Sequence, residues 1–99
     1  MGYYINTDSK GRALPNFLKG EELVMNGDAE PAVLNIESLL KNGPETAILI
    51  EVENHAWSAL AFCYDTDELK AFLNPTDRRY KRAYRMKREL AERLSGFIR

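Results

Sequence analysis

The spacing of apolar and polar positions changes along this chain, and each change marks an element. From Thr46 to Glu53 the pattern alternates, with Ile48, Ile50 and Val52 on one side and Ala47, Leu49, Glu51 and Glu53 on the other. That is the period of a β-strand. Asn54-His55 reads as a turn, and Ala56 to Tyr64 alternates again, with Ser58, Leu60, Phe62 and Tyr64 opposite Trp57, Ala59, Ala61 and Cys63. The two runs predict a central antiparallel hairpin over 46–64. Both of its faces are partly apolar, so one face is expected to meet helices. The other needs a further cover, for which a second subunit is one candidate.

Around the hairpin the period lengthens. Residues 17–26 carry Leu18, Glu22 and Met25 in one row, widened by Leu23 and Val24, which predicts a helix despite Gly20 in its middle. Asn26-Gly27 ends it, because glycine takes the left-handed conformation without a Cβ penalty. Asn35 can cap a two-turn helix over 35–41, with Glu37 near its positive end, before the stop Asn42-Gly43-Pro44. Asp65 and Glu68 have capping-box spacing ahead of a helix running to Phe72-Leu73, closed by Asn74-Pro75. A short strand is predicted at Tyr3-Tyr4-Ile5.

The segment 79–86 supports two patterns. Tyr80, Arg82, Tyr84 and Met86 alternate like a strand, while Ala83, Met86, Leu90, Leu94 and Phe97 form a helical stripe. Tyrosine-rich alternation suits a pleated surface, so we read a strand there and a helix over 87–94, stopped by Ser95-Gly96. The resulting expectation is a small single α+β domain: an antiparallel sheet built on the central hairpin, with three to four short helices.

Composition agrees with one domain. The chain has 99 residues, of which 44% are hydrophobic and 29% charged, values that exclude a disordered or collagen-like chain. Its longest apolar run, Ala47 to Ile50, is far too short to span a bilayer, so no membrane association is expected. The segment Met1-Gly2-Tyr3-Tyr4-Ile5-Asn6 has neither the basic nor the apolar part of a secretory signal, and Cys63 is the single cysteine. Together they predict a cytoplasmic protein in a reducing compartment.

Charge changes the picture more. Residues 1–77 hold five basic and thirteen acidic side chains, whereas residues 78–99 hold nine basic and two acidic ones, so a net charge of −1 conceals an acidic body and a basic final segment. Arg78, Arg79, Tyr80, Lys81, Arg82, Tyr84, Arg85 and Arg88 interleave cations with aromatic rings. Cations neutralise phosphates and tyrosines stack on unpaired bases, so these eight residues are the candidate nucleic-acid contacts. In a strand, Arg79, Lys81 and Arg85 would form a basic stripe. The competing reading is that the basic segment folds against the acidic body and needs no outside partner, each surface pair contributing about 0–1 kcal/mol.

Candidates for chemistry are few. One histidine and one cysteine fall short of the four ligands zinc needs, and no metal or other cofactor is expected. His55 at the turn lies roughly 25 Å along an extended strand from Cys63, too far for proton transfer. Glu51 and Glu53 share a strand face about 7 Å apart and could flank a reacting group, but carboxylates beside a turn more often serve as solvated surface. We therefore expect no enzyme. Glu51, Glu53, His55 and Trp57, at and beside the hairpin tip, are the candidate protein-interface residues, and Trp57 with the apolar second face of the hairpin also raises the prospect of a homodimer.

Several short signposts occur together: Tyr4-Ile5-Asn6-Thr7 with Ser9-Lys10-Gly11, Ala13-Leu14-Pro15, Ala59 and Ala61 before Tyr64, Asp67-Glu68 with Phe72, and Leu94-Ser95-Gly96-Phe97. Together they resemble a group of small proteins encoded by tailed phages and prophages, which usually carry Asn-Gly where this chain has Asn54-His55. The resemblance implies a setting and no transferable activity or catalytic residue. It points to an accessory phage or prophage factor that engages a host protein inside a bacterium, in one form as an inhibitor of a host defence or nucleic-acid enzyme. The alternative is a nucleic-acid-binding protein using 78–88.

Overall fold

The computed structural model describes residues 3–63, 66–74, 76 and 79–96, with Tyr80 described by its backbone alone. The alternating run Thr46–Asn54 forms β3 and Trp57–Cys63 forms β4, paired in the register Ile48↔Cys63 to Asn54↔Trp57. The turn is therefore His55-Ala56, one residue beyond the expected Asn54-His55. Tyr80–Lys87 is a strand, β5, and it pairs with β3 along its whole length, from Thr46↔Lys87 to Glu53↔Tyr80. The strand reading of this segment holds, because β3 satisfies its backbone along one side while its alternate residues reach opposite faces.

Two short strands complete the antiparallel sheet. Tyr3–Tyr4, β1, pairs with β4, and Glu30–Ala32, β2, pairs with β5, which gives the order β1-β4-β3-β5-β2. The sequence pattern did not predict β2. Its three residues are too few to show a period, and Pro31 argues against a strand anywhere but at a sheet edge, where it lies.

Helix α1 is Lys19–Met25, α2 is Ile36–Leu40, α3 is Thr66–Phe72 and α4 is Arg88–Leu94. The Asn35 side chain accepts from the Glu37 and Ser38 amides at 2.9 and 3.3 Å, the cap its position predicted. Gly27 follows α1 with φ 79°, the left-handed stop expected there. The capping role expected of Asp65 lies outside the described residues.

The two faces of β3 build two cores. Ala47 and Leu49 join Ile5, Leu23, Leu60, Phe62, Tyr84, Met86 and Ala91, under α1 and α4. Ile48, Ile50 and Val52 join Leu39, Cys63, Leu69 and Ala83, under α2 and α3. This corrects one expectation: the second face is covered by the chain's own helices, so no other subunit is required for it. The result is a mixed α+β domain with helices on both faces of a five-stranded sheet.

Candidate binding groove and the carboxylate behind it

Glu51 follows Ala47 and Leu49 on the face under α1, and its side chain is 0% exposed. A buried carboxylate needs partners, and the start of α1 supplies them. The first amides of a helix have no acceptor within it, and Leu18, at the cap position, has no side-chain oxygen to offer them. Glu51 takes that place from across the fold: its Oε2 accepts from the Lys19 amide at 3.0 Å and its Oε1 from the Gly20 amide at 3.3 Å. Tyr84 Oη donates to Oε1 at 3.1 Å. Burial first, and then the charge and hydrogen bond of Glu51, raise the Tyr84 hydroxyl far above the ordinary tyrosine value.

Gly20 makes this approach geometrically feasible. A Cβ at position 20 would collide with the Tyr84 ring, so only glycine lets α1 lie this close to β5. Beside the carboxylate, the Arg82 guanidinium binds Glu21 at 2.9 Å, pairs with Glu53, and has its Nε 3.9 Å from Glu51.

A groove of about 530 Å³ opens on the outer side of this cluster. Val24 and Met25 of α1, Pro31 and Ala32 of β2, and Leu34 give it apolar walls, with Ala83 and Tyr84 of β5 also in the lining. Its charged lining residues are Glu21, Lys81 and Arg82. The groove exists because β2 pairs only with Ala83 to Arg85, so β5 runs on past it beside α1. Met25, and Val33 next to Leu34 in the chain, are 79% and 68% exposed, the most exposed of the large hydrophobic side chains described. Pockets of this size and lining are the usual form of binding sites.

The residues singled out in the sequence fall into three groups. Glu51 is fully buried, which corrects its assignment to a protein interface, and its partner Glu53 is half-buried against Arg82. His55 and Trp57 are exposed at the hairpin tip, Trp57 by 41%. Exposed Phe17 and Leu18 belong to the same neighbourhood, since the Asn16 carbonyl accepts from both the amide and the hydroxyl of Ser58.

In the basic segment, Tyr84 is only 4% exposed, so its ring is not placed to stack on a base; this too corrects the sequence reading. Arg82 is engaged by three carboxylates of the acidic body, Arg85 lies 3.6 Å from Glu30, and Arg88, the first residue of α4, lies 3.0 Å from Glu92. Lys81 lines the groove and Arg79 is exposed just ahead of β5. Arg78 and the side chain of Tyr80 lie outside the described residues. Much of the described basic charge is thus met within the fold, as the internal reading expected.

His55 and Cys63 lie toward opposite ends of β4, with Cys63 buried. Among the described residues no group of three or more His, Cys, Asp or Glu side chains is arranged to hold a metal, and no helix is long and apolar enough to cross a membrane.

Sequence reasoning missed the groove. Met25 lay inside a predicted helix and Val33-Leu34 outside any predicted element, so nothing along the chain joined them. The burial of Glu51 had a signal: it continues the inward row of Ala47 and Leu49 and sits between Ile50 and Val52. Compared with known proteins, the chain matches no family model, no curated protein and no solved structure.

Proposed function

We propose that this protein works by binding another protein, an apolar segment of which lies in the groove between α1 and the β5–β2 edge. The observation that carries the reading is the gathering of exposed Met25 and Leu34 with Val24, Pro31 and Ala32 at one apolar groove of about 530 Å³. Clustered exposed apolar side chains mark interaction surfaces, whereas scattered ones do not. A binding role rather than catalysis is favoured because Arg82 and Tyr84, the polar groups nearest the buried carboxylate, are already bonded to Glu21, Glu51 and Glu53. The resemblance of its signposts to small phage proteins favours a partner in the cytoplasm of a bacterial host, with this chain as the accessory factor.

The test is site-specific photo-crosslinking in host cells, with the reactive residue at position 25 and, as a control, at exposed Glu37 on α2. A discrete protein adduct from position 25 alone supports the reading. No adduct, or the same adducts from both positions, overturns it. Oligonucleotide binding across a salt series, run in parallel, tests the nucleic-acid alternative, which predicts an affinity that falls steeply with salt.

A further inference from the structure

We propose that α1 is a movable wall of the groove and that the buried Glu51 carboxylate is the catch that holds it closed. This deepens the groove reading and rests on it for its consequence, a groove of adjustable width. The catch itself stands on the geometry of α1.

A helix of seven residues with a glycine at its second position does not persist by itself. α1 is therefore helical because it is docked, and its docking is concentrated at a few points. Leu23 is fully buried in the core. At the far end the Asn26 side chain donates to Asp8 at 3.1 Å and accepts from Arg12 at 3.3 Å, just ahead of the left-handed Gly27. On the near side the Asn16 carbonyl is fixed by Ser58. Between Asn16 and Asn26, Glu51 is the side chain that binds backbone amides at the helix start, those of Lys19 and Gly20, while the bonds of Lys19 to Asn6 and of Arg82 to Glu21 run from side chain to side chain.

The docked state is also loaded. Leu18 has φ 62°, the left-handed region that a leucine backbone disfavours. It is held there because the next two amides are bound to Glu51. Releasing the carboxylate frees those amides to water, relaxes Leu18, and removes the nucleus of the helix. Residues 17–25 can then leave the sheet as a unit while Asn16 and Asn26 stay fixed, as local openings do elsewhere. Because Glu21, Val24 and Met25 line the groove, its width changes with that motion. Glu51 acts as a positioning residue, out of reach of any occupant.

Amide hydrogen exchange on the whole, ligand-free protein reads this directly. In the wild type, the amides of residues 22–26 are expected to exchange well before those of β3 and β5. Glu51→Gln keeps the volume but weakens the acceptor, and is expected to speed exchange of 22–26 by about tenfold or more. Tyr84→Phe, which removes only one donor to Glu51, gives a smaller change in the same amides and serves if Glu51→Gln does not fold. The proposal is overturned if 22–26 exchange only together with β3 in the wild type, or if the variants leave the exchange of 22–26 unchanged. Neither outcome depends on crosslinking at position 25, so failure of the catch and failure of the groove reading are distinguishable.

Discussion

Tyr84 and Glu51, on neighbouring strands but 33 positions apart, share a buried hydrogen bond of 3.1 Å that also anchors the start of α1. Glu51 is simultaneously the acceptor for two helix amides, so three donors converge on one carboxylate that water does not reach. A charged group in that position is costly to bury and more costly to remove, because its donors are left behind.

Replacing Glu51 with Ala is therefore expected to destabilise the fold by about 3–5 kcal/mol, a large share of what a domain this size has. Tyr84→Phe leaves the carboxylate its other donors and is expected to cost only about 1–2 kcal/mol. Urea unfolding of the two variants beside the wild type checks the ranking.

The Tyr84 hydroxyl keeps its proton in the folded state well above the ordinary tyrosine value of 10.0. The unfolded chain releases that proton first, so stability falls as pH rises above about 10. In a spectrophotometric titration of the folded protein, Tyr84 is expected to keep its proton well above pH 10. Tyr84→Phe removes that late step and flattens the alkaline loss of stability.

Gly20→Ala improves intrinsic helix propensity by about 1 kcal/mol, yet it drives a methyl group into the Tyr84 ring. Overpacking of this kind costs about 1–3 kcal/mol, so the variant is expected to be less stable. In a Tyr84→Ala background the obstacle is gone and the same substitution becomes stabilising. A double-mutant cycle by thermal unfolding reads the change of sign.

Asp8 sets the acid limit of the loop that steadies the other end of α1. Burial by itself raises its pKa, but the Arg12 amide and guanidinium and the Lys10 amide outweigh that and hold it below its ordinary value. A lowered folded value means the contribution is present above the unfolded value near 4 and is lost as pH falls through the folded one. Melting temperature followed downwards from pH 5 is expected to drop more steeply for the wild type than for Asp8→Asn, whose neutral amide has no such proton to bind.

Met25→Asp changes an exposed position and is expected to shift stability by no more than about 0.5 kcal/mol. If the groove is the binding surface, the same change abolishes the protein adduct formed through a crosslinker at Leu34, another lining residue, while circular dichroism and melting stay as in the wild type.

What the sequence determined by itself is local and periodic. Alternation from Thr46 to Cys63 specified the hairpin and which residues share each face, Asn35 marked its helix cap, and Gly27 marked a stop. Each depends on neighbours within a few positions, and the tyrosine-rich alternation after Arg79 was strong enough to place β5. Tertiary structure decided the rest: that β5 lies between β3 and the unforeseen β2, that α2 and α3 cover the second sheet face, and that Glu51 is buried rather than solvated. It also brought Met25 of α1 to the same groove as Leu34. These outcomes turn on contacts between segments far apart in the chain, where a glycine at position 20 and a tyrosine at position 84 must meet before either residue has a reason to be there.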